Sequence, residues 1–323
     1  MASLLSVENL QVQFQTKKGI NTAVDGVSFS VEKGRILGIV GESGCGKSVT
    51  SMSILQLLGR NARISGGSIK LDGKELIGLP EKEMCRIRGN DIAMIFQDPM
   101  TALNPTLTIG TQLMEPIMLH QNCGKKEAWT RAVDVLKRVG IAAPEKRMKE
   151  YPHQLSGGMR QRVMIAMAVS CEPRLLIADE PTTALDVTIQ AQILELMCEL
   201  REKMGTAIML ITHDMGVVAE TADDVLVLYA GKAVEYGSIE DIFERPKHPY
   251  TQGLLNSIPR LDEDVELLNT IEGTVPAPDA MPAGCRFAPR CPYGKDRCMK
   301  EKPGVYHAGN SLVSCFRYEG EKE

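Results

Sequence analysis

The strongest constraint on the fold is a glycine-rich turn between a short apolar run and a segment suited to a helix. The turn reads Gly41-Glu-Ser-Gly-Cys-Gly-Lys47-Ser48 and follows the run Arg35–Val40. Glycines let the backbone wrap around an anion with its N–H groups pointing inward, and a helix that begins at Lys47 adds partial positive charge. The pattern therefore predicts a phosphate-binding loop.

Each polar group of this loop has an expected role. Lys47 would neutralise the β- and γ-phosphates of a nucleotide, and the Ser48 hydroxyl would ligate Mg²⁺. Cys45 would contribute only its backbone. The residues predicted to contact nucleotide here are Gly41, Ser43, Gly44, Cys45, Gly46, Lys47, Ser48 and Val49.

Short apolar strands alternate with helical stretches over roughly the first 240 residues, as in a mostly parallel sheet covered on both faces. Looser alternation in Leu4–Phe14 and Gly26–Val31 predicts an antiparallel edge sheet. The segment of about 99–170 lacks strand signals and predicts an inserted helical subdomain. The other predicted strands are Arg174–Asp179, Thr206–Ile211 and Asp223–Tyr229, and the predicted helices are Thr111–His120, Lys125–Val139, Met159–Val169 and Ile189–Lys203.

Two adjacent acids follow an apolar strand in Leu175-Leu-Ile-Ala-Asp179-Glu180. A buried strand that delivers a carboxylate beside a phosphate loop is a common way to hold Mg²⁺. Asp179 would orient the metal and Glu180 would polarise the attacking water. A strand that ends in a solvated acidic turn is the simpler alternative, and the phosphate loop argues against it.

The most specific stretch is Leu155-Ser156-Gly157-Gly158-Met159-Arg-Gln-Arg162. Ser156 suits the N-cap of a helix whose glycine-rich first turn would form a second anion site. This stretch resembles the signature loop of the ATP-binding-cassette (ABC) ATPases, and the resemblance extends from about residue 4 to about residue 245. The family fold is a RecA-like parallel core with an antiparallel edge subdomain and a helical subdomain.

The resemblance implies further site residues. Phe14 lies where these proteins stack an aromatic ring on adenine, with Phe in place of the commoner Tyr. Gln97 matches a glutamine that touches Mg²⁺ and couples to membrane subunits, and His213 matches a histidine that contacts the γ-phosphate. Ala184-Leu185-Asp186 matches a loop at the dimer interface.

The family mechanism implies a shared site. Two cassettes enclose two ATP molecules, so Ser156, Gly157 and Gly158 would bind the nucleotide held by the partner. Catalysis by Lys47, Glu180 and His213 would then consist of positioning and charge stabilisation.

The tail beyond about Glu244 is rich in proline and contains Cys285, Cys291, Cys298 and Cys315. Four thiols in a small segment of a cytoplasmic chain favour metal ligation over disulfides. Neither cysteine pair has the close spacing usual for zinc, and a 4Fe–4S cluster, zinc or unligated thiols are the alternatives. We expect a nucleotide-binding domain at residues 1–245 and an extension at 246–323.

The tail and the preceding Arg245-Pro-Lys-His-Pro-Tyr-Thr251 resemble the C-terminal extension of dipeptide and oligopeptide ABC importer ATPases. That resemblance implies a 4Fe–4S cluster on the four cysteines. It also implies a second, different ATPase subunit, two transmembrane permease subunits and an extracytoplasmic substrate-binding protein. Nickel and glutathione are alternative cargoes.

Bulk properties exclude other classes. The net charge of −4 gives no general attraction to nucleic acid, and the longest apolar runs are too short to span a bilayer. The first residues lack the pattern of a secretory signal, so we expect the chain at the cytoplasmic face of the membrane.

A soluble repair or translation ATPase would carry a coiled-coil insertion or a second cassette, a kinase would lack the signature loop, and a zinc module would explain the tail alone.

Overall fold

The computed structural model describes residues 3–17, 19–98, 102–182, 186–258 and 270–320. Ala184 and Leu185 of the predicted interface loop lie outside these ranges. The chain divides into two compact units. One comprises Glu32–Arg35 and Gly78–Leu210, and the other comprises Ser3–Val31, Ile36–Ile77 and Ile211–Glu323.

The second unit contains the predicted antiparallel sheet. Its strands alternate buried and more exposed residues, as expected for a sheet with one face on the core. The long pairing runs from Leu5 opposite Leu71 to Phe14 opposite Ala62. In order across the sheet the strands are Gly19–Glu32, Ser3–Thr16, Ala62–Leu71 and Lys74–Glu75.

The strand before the phosphate loop belongs to a second sheet. Ile36–Val40 is wholly buried and pairs in parallel with Asp224–Tyr229. Lys232–Ser238 continues the sheet antiparallel, and the tail adds the hairpin of Ser311–Val313 and Tyr306–Ala308. The tail is therefore continuous with the sheet that carries the phosphate loop, and the domain boundary at 245/246 stays a prediction.

The helices of this unit are short. Prolines after residue 244 restrict the helices there, since proline costs least in a first turn and in a helix interior removes a hydrogen bond. Pro249 begins one helix in that way. The α-helices are Lys47–Ile54, Met215–Thr221, Ile239–Glu244, Pro249–Asn256 and Asp296–Lys300, and the 3₁₀ turns are Pro278–Ala280, Ala288–Arg290 and Phe316–Tyr318.

The first unit combines parallel strands with the predicted helical region. Ile92–Ile95 pairs in parallel with Leu175–Asp179, beside which lies Ala207–Thr212. Described residues 102–170 contain no strand, as predicted. The α-helices are Glu81–Ile87, Ile109–Gln121, Lys125–Arg138, Pro144–Arg147, Gly157–Val169 and Val187–Met204, with a 3₁₀ turn at Pro152–Gln154.

The predicted α/β architecture, with an antiparallel edge sheet and an inserted helical region, is confirmed. Within the described residues, no helix has the length and apolar character needed to cross a bilayer.

Candidate functional site

The backbone of the phosphate loop requires glycine at its first position. Gly41 has φ +152°, and a Cβ placed there would lie 2.1 Å from the carbonyl oxygen of Leu228. No other residue fits so close to a neighbouring strand. Gly46 is the N-cap of helix Lys47–Ile54 with φ 103°, so the loop turns directly into the helix, as predicted.

Lys47 lies at the start of that helix and is only 6% exposed. Its ammonium donates to the carbonyl oxygens of Gly41 at 2.6 Å and Glu42 at 3.2 Å. The loop therefore holds its own cation in place by two charge-assisted hydrogen bonds. A buried ammonium of this kind is suited to meet phosphate oxygens.

The remaining loop residues include a thiol with no evident chemistry. Ser43, Gly44 and Cys45 complete the turn, while Ser48 and Val49 lie in the first turn of the helix. Burial raises the pKa of the Cys45 thiol, which keeps it protonated and unreactive. Its carbonyl oxygen accepts a hydrogen bond from Gly231 N at 2.8 Å. This agrees with a role for the Cys45 backbone alone, which stays a prediction.

The acidic pair lies in the other unit, at the end of Leu175–Asp179. Asp179 is 4% exposed, and Glu180 is half-buried with φ +47°. That left-handed conformation is uncommon for a residue with a Cβ and costs roughly 1–3 kcal/mol. Strained backbone of this kind clusters at functional sites.

Gln97 and Glu180 are brought together, although 83 positions separate them in the chain. Gln97 Nε2 donates to Glu180 Oε2 at 2.9 Å. The amide nitrogen thus orients the predicted base, and the amide oxygen is the atom suited to a hard cation. The three predicted Mg²⁺ ligands, Ser48, Gln97 and Asp179, all supply oxygen, as Mg²⁺ prefers.

Ser156 is the N-cap of helix Gly157–Val169, as predicted. Its hydroxyl accepts from Met159 N at 3.3 Å. Ser156 and Gly157 are exposed, whereas Gly158 packs close to Ile189, whose Cγ2 would lie 3.4 Å from an added Cβ. An exposed helix start without side-chain bulk is a ready site for an anion from a partner.

Two other predicted residues belong to the unit of the phosphate loop. His213 is exposed, directly after strand Ala207–Thr212, and the next residue, Asp214, caps helix Met215–Thr221. Phe14 is half-buried near the end of Ser3–Thr16. Their roles toward γ-phosphate and adenine stay predictions.

The four tail cysteines line one cavity of about 70 Å³. Burial raises the pKa of Cys285 to about 11, and it also raises the pKa values of Cys291 and Cys315. Within the described ranges no group of three or more His, Cys, Asp or Glu side chains is arranged to hold a metal ion. The arrangement therefore gives the predicted cluster no direct support beyond the shared cavity.

Contacts that join the tail to the phosphate loop were not predicted from the sequence. Tyr250 Oη accepts from Glu42 N at 3.0 Å, and Arg290 Nη1 donates to Glu42 Oε1 at 2.9 Å. Arg286 Nη2 donates to Asp25 Oδ2 at 3.0 Å. The sequence does show two arginines inside the segment Cys285–Cys291, but no neighbouring residue indicates which acids they contact.

Two family models match the chain, and so do several curated relatives. The family model "ABC transporter" matches residues 24–183, and "Oligopeptide/dipeptide transporter, C-terminal region" matches residues 234–298. The chain is 56% identical to the oligopeptide transport ATP-binding protein AppD of Bacillus subtilis, over 99% of this chain and 98% of that protein. It is 52% identical to the oligopeptide transport ATP-binding protein OppD of Escherichia coli, over 98% and 93% respectively.

Solved structures of ATP-binding cassettes match about three quarters of this chain. The ATP-binding cassette MJ0796, solved as a dimer bound to ADP and Pi, has a TM-score of 0.66 and 27% identity, covering 73% of this chain and 98% of that one. Since the relatives match at high identity over nearly their whole length, this chain is an ATPase and belongs to the ATP-binding proteins of the oligopeptide/dipeptide ABC transporter family.

Proposed function

We propose that this chain hydrolyses ATP to drive the import of short peptides through separate transmembrane permease subunits. The observation that carries the proposal is the identity of 56% with an oligopeptide transport ATP-binding protein over nearly the full length of both chains. The chain would act at the cytoplasmic face of the membrane. An extracytoplasmic binding protein would deliver the peptide.

Each predicted residue has a role in hydrolysis. Lys47, held by Gly41 O and Glu42 O, would exchange those contacts for the β- and γ-phosphates. Glu180 would accept a proton from the attacking water, while Gln97 orients the Glu180 carboxylate. Bound Mg²⁺ would offset the phosphate charge. His213 would contact the γ-phosphate, and Phe14 would stack on adenine.

The site would be completed by a second cassette. Ser156, Gly157 and Gly158 present an exposed helix start, which supports binding of a nucleotide carried by a partner. MJ0796 was solved as a dimer, and its cassette covers 73% of this chain. The partner here would be a second, different ATPase subunit.

Glu180→Gln tests the base and the shared site together. The variant should lose ATP turnover and, with ATP and the partner subunit present, form a stable complex detectable by light scattering. Glu195→Gln is the matched control, because Glu195 is an exposed acid on a helix of the same unit. Normal turnover by Glu180→Gln would refute the assignment of the base, and full ATPase activity of a wild-type chain that stays monomeric with ATP present would refute the shared site.

The cargo is tested on the assembled transporter. Mass spectrometry of the ligand that co-purifies with its binding protein should find short peptides. A nickel complex or glutathione in that position would leave the ATPase assignment intact and overturn the peptide assignment.

We also propose that Cys285, Cys291, Cys298 and Cys315 hold a 4Fe–4S cluster. The four thiols face one cavity, and thiolate is the donor that such clusters take. When bound, the cluster would cross-link a tail that has little regular structure, and ligation would order it. The raised thiol pKa values imply that ligation must displace protons.

Iron analysis tests the cluster. Protein purified without oxygen should contain about four irons and absorb broadly near ~400 nm. Cys291→Ser should lose both, whereas the exposed Cys85→Ser should lose neither. Stoichiometric zinc in colourless protein, or retained colour in Cys291→Ser, would refute the assignment.

A further inference from the structure

The segment between Cys285 and Cys291 touches the phosphate loop at its second residue, Glu42. This residue places a carboxylate beside a loop that must accept a multiply charged anion, which is electrostatically unfavourable unless the charge is offset. Arg290 offsets it. Its Nη1 lies 2.9 Å from Oε1 and 3.1 Å from Oε2 of Glu42.

The guanidinium of Arg290 is fixed in place by its other donors. Nε donates to the carbonyl oxygen of Glu272 at 3.0 Å, and Nη2 donates to that of Ile271 at 3.1 Å. The side chain is 6% exposed, and Glu42 is 30% exposed. An ion pair with a buried, multiply bonded arginine is much less screened than a surface pair.

The backbone of Glu42 is held by the same part of the chain. Its N–H donates to Tyr250 Oη at 3.0 Å, and Tyr250 is fully buried. Tyr250 packs against Tyr229, with ring centroids 4.7 Å apart, and Tyr229 ends the strand beside Ile36–Val40. The backbone and the carboxylate of one loop residue are thus both fixed from the tail.

A second arginine reaches the loop indirectly. Arg286 donates to the carbonyl oxygen of Ala230 and to Asp25. The next residue after Ala230, Gly231, donates from its N–H to Cys45 O at 2.8 Å. The turn at 230–231 therefore lies between the tail and the middle of the loop.

We infer that Arg290 is a positioning residue for ATP binding, which acts by neutralising Glu42 and fixing the start of the phosphate loop. The inference rests on the proposed nucleotide site. Arg290 does not touch nucleotide in this scheme. Arg290 affects the electrostatics and geometry of the loop, so removal of its charge should weaken nucleotide affinity. Linkage then requires the reverse effect, in which bound nucleotide stabilises the segment 285–291.

The first test is a double-mutant cycle in the full-length protein with its metal content preserved. The variants are Arg290→Met, Glu42→Gln and the pair, and the probe is a fluorescent N-methylanthraniloyl ATP analogue with Mg²⁺. Arg290→Met should weaken binding about tenfold, as expected for losing roughly 1.4 kcal/mol of a charge-assisted contact. Glu42→Gln removes the repulsion as well as the pair, so the double variant should bind better than Arg290→Met alone.

Arg297→Met is the matched control, because Arg297 is a half-exposed arginine of the tail whose partners, Glu301 and Glu319, are also in the tail. It should bind the analogue as the wild type does. Arg290→Lys, which keeps the charge, should recover part of the affinity. Iron content measured on every variant separates loss of loop positioning from loss of a cluster.

The second test is hydrogen exchange of residues 285–291 with and without saturating Mg²⁺–nucleotide. Nucleotide should slow exchange there in the wild type and not in Arg290→Met. Wild-type affinity in Arg290→Met, or additive effects of the two substitutions in the cycle, would overturn the inference. If Arg290→Met does not fold, Glu42→Gln decides it, since wild-type protection of residues 285–291 by nucleotide in that variant would refute the coupling.

Failure of the inference is distinguishable from failure of the nucleotide site. Lys47→Ala should abolish binding of the analogue whatever Arg290 does. Retained binding in Lys47→Ala would overturn the site itself, whereas lost binding there with a normal Arg290→Met would overturn only the positioning role.

Discussion

Truncation of Phe287 should open the junction between the tail and the sheet of the phosphate loop. Phe287 is 2% exposed, and its ring lies 5.1 Å from that of Tyr229, 5.4 Å from Tyr250 and 5.7 Å from His248, between centroids. Phe→Ala in a core costs about 3–5 kcal/mol. Three aromatic neighbours place Phe287→Ala near the upper end, since such ring pairs add to area burial.

Hydrogen exchange is the right assay for this loss. The single tryptophan, Trp129, belongs to the other unit, so its fluorescence does not report on the tail. A local loss of about 4 kcal/mol predicts roughly thousandfold faster exchange for protected amides of residues 285–318. Val305→Ala, at a position that is 66% exposed, is the control and should change exchange little.

The increase in exchange rate in Phe287→Leu should lie between those of Phe287→Ala and Val305→Ala, because leucine fills most of the cavity that alanine leaves. A loss below about 1.5 kcal/mol in Phe287→Ala would refute the reasoning, since it would mean that the aromatic cluster does not hold the tail.

Other changes separate stability from chemistry. Ser156→Ala should destabilise the helix that it caps by about 1 kcal/mol and abolish ATP turnover in the assembled transporter. Ser156→Asp should keep the cap but lose turnover, because its carboxylate repels phosphate. ATPase assays and melting curves of both variants check this, with Ser156→Thr as the active control. Burial alone would raise the pKa of Asp25, but Lys232, Arg286 and Lys302 together hold it below its ordinary value. The ionised form therefore stabilises the fold above pH ~4, and this contribution is lost as the pH falls through the lowered pKa. Asp25→Asn should cost roughly 1.5–3 kcal/mol at pH 7 and progressively less as the pH falls below ~4, as measured by urea unfolding; a loss that does not decline with falling pH would contradict it. Gly41→Ala should abolish nucleotide binding and destabilise the loop, because its Cβ would collide with Leu228 O. Gly44→Ala also places a side chain at a positive φ, +78°, but its Cβ meets no atom within 4 Å, so it should be tolerated better; comparable binding by both variants would contradict the steric argument.

Local patterns predicted the strand before the phosphate loop, the helix after it and the strand before the acidic pair, but not strand Ile92–Ile95, which precedes Gln97. The strand before the loop starts one residue later than predicted, and helix Lys47–Ile54 begins where Gly46 allows. Ala62–Leu71 was missed because Gly66 and Gly67 interrupt its alternation, although its pairing with Ser3–Thr16 stabilises it. Sequence periodicity does not contain that long-range pairing.

Contacts across distant sequence were also beyond prediction. Arg290 and Glu42 are 248 positions apart, and neither has a neighbour in the sequence that identifies the other. The hydrogen bond between Gln97 and Glu180 was not predicted, since the family resemblance implied only that Gln97 touches Mg²⁺ and couples to membrane subunits. The left-handed backbone of Glu180 was not predicted at all, because an Asp-Glu pair after a strand is compatible with several turns.

The backbone of Glu180 bears on any attempt to engineer this ATPase for robustness. A glycine at position 180 would adopt the observed φ of +47° without the energetic penalty of a side chain, whereas the proposed proton acceptor requires that side chain. A library screened only for heat resistance should therefore enrich glycine, and also asparagine, at this position, and the survivors should be inactive. Selection for more stable variants therefore needs an ATPase requirement in every round, because the residue that best stabilises the backbone at position 180 is not the residue that the proposed chemistry requires.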